Sequence, residues 1–548
     1  MRIALLSNVN VDSLVKRIDF CEVYSPDGYG IWLQEILNFD SELYKFHPQA
    51  VFVILDGEQL FPRFNRKNIM TDIEEYFSAL EHVFSQRRDI FFFLNSLDFF
   101  TKQIRASDEV REEKFVEIEW YRKLIELAKK LTNVHILNLK DLVEKEGRKN
   151  FYSNKLWYLG GMKYSTKGEK LIIKEIERSI KALKGEKKKC LAIDLDNTIW
   201  GGVIGEDGIE GIELSEFKEG ARYKDFQKRL KEFKNLGVIL TVVSKNNEQD
   251  ALDVFEKHKD MVLKRDDFAL MKINWDPKSK NLIELAKELN IGIDSIVFID
   301  DNPVERELVK KSIPEIIVPE FPKDTANLVD FAEEIYNEFF YVLRVTAEDI
   351  KKTQMYIQNA KRTALKKKYA SAEDFLKDLG TKIYVWKLRE EDIPRAAQLT
   401  QKTNQFNLTT KRYTETDVRN FMNDERYDVF IASVEDKFGD NGKVVLMILK
   451  KDKKRAQAEI DTFLMSCRVM GRHIEDQFID FIEKKLKKDG MKLLIAFYYP
   501  TKKNKPVENL FERLGYTVIK NDNEGNKVYS RNLNIEEPRV FYGELIER

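Results

Sequence analysis

Short apolar runs recur along this chain, and what lies between them predicts its architecture. Over residues 1–185, runs at 3–6, 50–55, 90–94 and 134–137 alternate with stretches of helical periodicity, which predicts a doubly wound parallel sheet. Over 186–335, buried-strand patterns appear at 191–193, 238–244 and 295–299, with an amphipathic helix at 281–289. Residues 336–378 are charged and helical with little strand signal and read as a helical bridge, the lysines of 351–368 forming a solvated face. From 379 to 548 the character changes again. A strand passes into a helix after 383, an Asn/Gln-rich helix end falls at 401–409, strand, tight turn and helix follow over 460–475, and 509–516 gives a closing helix and turn. The expected fold class is a multidomain α/β protein divided at about 1–185, 186–335, 336–378 and 379–548.

Charge narrows the partners. The 548 residues carry 93 basic and 93 acidic side chains, so no global field favours nucleic acid or an anionic membrane. The basic run 184–189 reads as a linker. The opening apolar run is too short for a secretory leader, and no stretch approaches 18 uncharged apolar residues. Cys21, Cys190 and Cys467 lie far apart, without metal-ligand spacing. A cytoplasmic protein is expected.

The chemistry-bearing residues sit at strand ends. The run 191–193 delivers Asp194 and Asp196 into a loop. One aspartate can attack phosphorus and the other can give a proton to the leaving group, while a divalent cation screens the phosphoryl charge. Ser244 ends the next strand and can donate to a phosphoryl oxygen or cap the following helix. Lys278 and Lys280, at a helix start, compete to neutralise phosphate. Asp300 and Asp301 end the third strand, and with the first motif they offer the hard oxygen set that Mg2+ demands. Thr198 and Asn246 are further candidates to contact substrate.

Asp194-Leu-Asp196-Asn-Thr198 resembles the first motif of the haloacid-dehalogenase (HAD) phosphatases, and the following Trp-Gly-Gly-Val-Ile-Gly-Glu-Asp-Gly is similar to the FkbH-like branch. The resemblance implies a Rossmannoid core with Asp194 as nucleophile. Asp196 would be general acid/base, giving its backbone carbonyl to Mg2+, and Lys278 is favoured over Lys280. The metal set would be Asp194, Asp196, Asp300 and Asp301. Residues 163–168 look like the last block of SGNH-type esterases, on a flavodoxin-like sheet. The catalytic His is absent, though, and Ser7-Asn8-Val9-Asn10 stands where Gly-Asp-Ser would follow the first strand. A domain without hydrolytic activity is expected.

The stretch Arg468-Val-Met-Gly471-Arg472-His473 resembles the acyl-CoA loop of the GNAT acetyltransferases, with His473 in place of the final small residue. Asn404 and the string 466–472 look like the FkbH-like family's own version of that fold. The resemblance implies that the glyceryl group of 1,3-bisphosphoglycerate is dephosphorylated and loaded on the phosphopantetheine arm of an acyl-carrier protein, the GNAT-like groove receiving that arm. Cys467 sits at the strand end where the thioester would lie, and basic neighbours suit it to act as an acyl-carrying nucleophile. A small buried hydrophobe is the plain alternative. Two other functions stay open: a simple metabolite phosphatase with accessory domains, and a non-enzymatic assembly module.

Overall fold

A computed structural model describes the chain except at residues 29, 63–65, 101–105, 108–111, 346–351, 367 and 536–537. The described residues form two compact units, Met1–Leu183 and Lys184–Arg548. None of their helices is long and apolar enough to cross a membrane.

In the first unit, β1 (Arg2–Ser7), β2 (Glu22–Tyr24), β3 (Ala50–Ile54), β4 (Phe91–Asn95) and β5 (Val134–Leu137) form a parallel sheet in the order β2-β1-β3-β4-β5. The four runs expected from sequence are strands. The edge strand β2 has only three residues, too few to show a period. At the sheet's carboxyl edge the Ser7 hydroxyl donates to the Ile54 carbonyl at 2.7 Å, so it is bound into the sheet rather than presented as a nucleophile. Lys163 is fully buried. Its Nζ lies 2.5 Å from Asp56 and 2.9 Å from Glu58, over the rings of Phe100 and Trp157. Burial pushes the Asp56 carboxyl above its usual range, and the lysine opposes the shift. This ion pair lies in the block 163–168, where the sequence lacks the expected histidine.

The second unit is built on two sheets. β6 (Cys190–Ile193), β7 (Ile239–Ser244), β8 (Phe268–Ile273) and β9 (Ile296–Ile299) pair in parallel in the order β8-β7-β6-β9. Their side chains alternate between two apolar clusters, one around Leu191, Ile193, Leu240 and Ile299, the other around Ala192, Ile239, Val243 and Phe298. The expected bridge is no free linker. Phe340 belongs to the first cluster, with Tyr336 and Phe339 packed against it, and Tyr356 belongs to the second. From the same helix as Tyr356, Lys352–Lys366, Arg362 forks onto Asp436 at 2.7 and 2.8 Å. Lys361, Lys366 and Lys368 are exposed as a solvated face requires, while Lys351 and Lys367 lie outside the described residues.

The remaining strands are β10 (Lys382–Lys387), β11 (Tyr427–Asp436), β12 (Gly439–Asp452), β13 (Gln457–Met465), β14 (Leu493–Tyr498), β15 (Thr517–Asn521), β16 (Lys527–Asn532) and β17 (Glu544–Glu547). They make one mixed sheet in the order β15-β16-β14-β13-β12-β11-β10-β17. β10 to β13 form an antiparallel meander, whereas β13 and β14 pair in parallel only from Gln457↔Leu493 to Glu459↔Ile495. Beyond that point the two strands part.

The buried Lys163 gives the first testable outcome. Removing one partner of a buried ion pair leaves the other charge uncompensated, at a cost of about 3–5 kcal/mol. Lys163→Met should lower the urea midpoint of the first unit accordingly, and an unchanged midpoint would show that the pair is not needed there.

Candidate active site

Three parallel strands end side by side and deliver the site. β6 releases Asp194, whose amide bonds the Ile299 carbonyl at 3.1 Å and so registers β6 against β9. β7 ends in Ser244, and β9 runs into Asp300 and Asp301. This is the carboxyl edge of the sheet, where α/β folds place their ligands.

The carboxylates of Asp194, Asp300 and Asp301 each offer an oxygen within 4.8 Å of the others. Lys278, at the start of the helix Lys278–Leu289, is buried between two of them, its Nζ 2.5 Å from Asp300 and 3.1 Å from Asp194. Burial works against the ammonium, but the two aspartates outweigh it and hold the lysine above its ordinary range. Burial, then the Asp194 charge, pushes Asp300 up to about 7 and Asp301 up to about 6. Asp194 Oδ1 is buried and has no hydrogen-bond partner among the described residues. An orphaned carboxylate oxygen, two crowded neighbours and one lysine make a donor set of hard oxygens short of positive charge, which fits a divalent cation.

Asp196 is turned away from that cluster. Its Oδ1 accepts from Trp200 Nε1 at 2.8 Å and from the Ile204 amide at 3.2 Å, and its Oδ2 accepts from Asn246 Nδ2 at 3.0 Å. Burial raises its pKa while the Asn246 and Trp200 bonds pull it down. Its side chain is therefore no metal ligand, and it is held as a proton carrier would be. Asn246, expected to touch substrate, donates to both Asp196 and Ser244 Oγ (3.2 Å), and so positions the two. Thr198 is buried and bonds the Asp301 amide at 3.2 Å, which fixes β9's end to the first loop rather than leaving the hydroxyl for substrate. Lys280 is exposed and pairs with Asp276 at 3.0 Å, so of the two competing lysines only Lys278 reaches the site. Arg306 escaped sequence reasoning. It donates to the carbonyls of Asp300 and Asp301 at 2.9 and 2.7 Å, and nothing in the local pattern distinguishes it from other helix arginines.

The glycines after Trp200 shape the flap. Gly202 has φ +88, and a Cβ there would meet Asp207 Oδ2 at 2.6 Å, the oxygen that accepts the Val203 amide.

The residues expected to bind an acyl arm are not all brought together. Cys467 and Arg468 line one cavity with Asn404, and the Cys467 carbonyl accepts from Asn290 Nδ2 at 2.7 Å. Arg472 is buried away from it, 2.8 Å from Asp436, and desolvation lowers its pKa to about 10. Gly471 and His473 both adopt positive φ (+76 and +57) ahead of the helix Ile474–Lys488. The first turn of that helix carries buried Glu475 and Asp476, the latter bonded to His473 Nδ1 at 2.8 Å and to Arg513. Two carboxylates at this helix start disfavour a pyrophosphate there. The expected pantetheine groove is also filled. Where β13 and β14 part, residues 406–408 lie between them: Met465 N bonds the Phe406 carbonyl at 3.0 Å, and Tyr499 N bonds the Leu408 carbonyl at 2.9 Å. The stretch read as a helix end is thus an extended plug; the helix stops at Lys402.

No protein-family model matches the chain, and no curated protein matches it. Among solved structures it is similar to the N-terminal part of protein BF1531 from Bacteroides fragilis, which contains a phosphatase domain complexed with Mg. The identity is 27%, over 63% of this chain and 94% of that one, with a TM-score of 0.57. It also matches an acetyltransferase from Thermus thermophilus (19% identity, 28% of this chain and 97% of that one, TM-score 0.23). A domain from Methanocaldococcus jannaschii matches at 20% identity over 28% of this chain and 99% of that one, with a TM-score of 0.24. At these scores the last two add nothing to the sheet order described above.

The hold on Asp196 can be tested. Asn246→Ala removes a hydrogen bond to a charged group, worth about 1.5–3 kcal/mol. Phosphate release from a phosphomonoester should fall roughly ten- to hundredfold in kcat with little change in KM, because the loss falls on proton transfer. A change confined to KM would assign Asn246 to substrate binding instead.

Proposed function

We propose that the chain is a Mg2+-dependent phosphatase of the aspartyl-phosphate type, joined to an acyl-transfer function. The observation that carries this reading is the Asp194–Asp300–Asp301 cluster around Lys278 with an orphaned Asp194 oxygen, and the likeness to a Mg-complexed phosphatase domain supports it. Asp194 and Asp301, with the Asp196 backbone carbonyl, would hold the cation, which screens phosphoryl charge. Asp194 attacks phosphorus, the bond from phosphorus to the substrate alcohol breaks, and Asp196 gives the leaving oxygen its proton. Asp196 then takes a proton from water, which attacks phosphorus, releases phosphate and restores Asp194. Lys278 sets its ammonium 3.1 Å from the nucleophile, and Ser244 offers a hydroxyl to the phosphoryl oxygens. The intact constellation favours an enzyme over an assembly module.

The finer reading is that the substrate supplies a glyceryl group. The Cys467 thiol attacks the acyl-phosphate carbon of 1,3-bisphosphoglycerate, a C–S bond forms, the bond from that carbon to the phosphate oxygen breaks, and inorganic phosphate leaves with the thiol's proton. The thiol of an acyl-carrier protein takes the acyl group, returning the Cys467 thiol, and the distal phosphate is removed at Asp194 when the group is no longer on Cys467. The position of Cys467 in the wall of a cavity supports this over a simple metabolite phosphatase.

Asp194→Asn keeps shape but removes the attacking charge, so phosphate release should drop by orders of magnitude, and excess chelator should do the same reversibly to the unaltered enzyme. Retained release in either experiment contradicts the mechanism. Cys467→Ala should stop charging of the carrier, read by intact-protein mass spectrometry, while phosphate release from small phosphomonoesters persists. A carrier charged by Cys467→Ala would mean that its own thiol attacks the donor directly.

A further inference from the structure

The helix Lys278–Leu289 begins at the phosphatase site and ends beside Asn290, whose side chain holds the Cys467 carbonyl. Twelve residues at about 1.5 Å each separate these ends by roughly 18 Å. Lys189 and Ser295, which precede β6 and β9, line the Cys467 cavity, whereas Asp194 and Asp300 follow the same strands. The two places therefore open at opposite edges of one sheet. A group bound at Cys467 shares no wall with Asp194.

The cavity measures about 410 Å3, within the usual range for small-molecule sites. Its charge is one-sided. Lys189, Arg395, Lys402, Arg468, Lys502 and Lys503 line it, against Asp294 as its lining carboxylate. Arg468 bonds the Ser466 hydroxyl at 3.2 Å and the Met355 sulfur, both uncharged, so these partners leave its guanidinium charge unbalanced. Cations along a recess focus positive potential into it, and arginine forks with lysine point charges are the usual receivers of phosphate. The gap between β13 and β14 is meanwhile closed by residues 406–408. The cavity, not that gap, gives access to Cys467.

We propose that this cavity is a second anion site, which binds a phosphate ester whose other end meets the Cys467 thiol. The proposal deepens the acyl-transfer half of the proposed function and rests on it for the role of the thiol; the phosphatase half is not required. Two sources share the chemistry: a free phosphorylated three-carbon acid and the phosphopantetheine arm of a carrier.

The test uses the full chain bearing Asp194→Asn, in chelator, so that no phosphate is released. Alkylation of Cys467 by iodoacetamide is followed by peptide mass spectrometry with 3-phosphoglycerate, desulfo-coenzyme A or glycerate present, and Cys21 serves as an internal control. Occupancy should slow alkylation of Cys467 roughly tenfold when the probe stands at ten times its dissociation constant. Protection by 3-phosphoglycerate assigns the site to a phosphorylated acid, and protection by desulfo-coenzyme A assigns it to the carrier arm; either supports the proposal. Glycerate should give none. Reversing two exposed cations, Lys402→Glu with Lys502→Glu, should abolish the protection, read as the ratio of Cys467 alkylation rates with and without 3-phosphoglycerate in that same variant. Equal alkylation with all three probes, or glycerate protecting as well as 3-phosphoglycerate, overturns it. Phosphate release by the unaltered chain is read separately, so failure of this site and failure of the phosphatase are told apart.

Discussion

Three crowded carboxylates facing one lysine, two of them buried and one half-buried, set the terms for the second unit. Asp194, Asp300 and Asp301 are drawn together because β6 and β9 are neighbours in register, and Lys278 reaches only two of them. Like charges held this close in a desolvated place raise each other's pKa, as Asp300 and Asp301 show. The arrangement is costly unless positive charge is added, and its donors are of the kind that select a hard cation. The rest of the local structure serves to keep it in place: Arg306 ties down the carbonyls of Asp300 and Asp301, Thr198 ties β9's end to the first loop, and Trp200 with Asn246 keeps Asp196 out of the cluster and available for protons.

The same sheet separates two groups of residues. The aspartate cluster lies at the carboxyl edge, while Cys467 lies at the opposite edge, against the amino ends of β6 and β9. The helix Lys352–Lys366 holds this geometry by packing Tyr356 into the parallel sheet's core and forking Arg362 onto Asp436 of β11. Roughly 18 Å along one helix separates the two places.

Much of this was legible in the sequence, and the physical reason differs by element. Strands buried on both faces read as unbroken apolar runs, which is why β1, β3, β6, β7 and β9 and the residues at their ends were found. Lys278 and Lys280 were inseparable by composition; two helical residues differ by about 200° in direction, and only the packed structure shows that Lys278 turns inward. The roles of Asn246, Trp200 and Arg306 depend on loops meeting across long sequence separations, which no local pattern encodes. The plug at 406–408 was missed for another reason. It pairs with β13 and β14, far along the chain, and its Asn/Gln-rich composition matches a helix end as well as a strand that borrows partners. The helical bridge was recognised as helical, but its burial was not, since Tyr356 and Arg362 find partners on both sheets.

The charge imbalance can be measured without turnover. Thermal unfolding of the full chain should be recorded with and without Mg2+, for the unaltered protein and for Asp301→Asn. A ligand that binds only the folded state at a hundred times its dissociation constant stabilises it by about 2.7 kcal/mol, so Mg2+ should raise the unfolding temperature of the unaltered chain by several degrees. Asp301→Asn relieves repulsion, and should unfold at a higher temperature than the unaltered chain in chelator yet gain little from Mg2+. If Mg2+ leaves the unaltered chain unchanged, or Asp301→Asn gains as much from it, the carboxylate cluster is not a cation site.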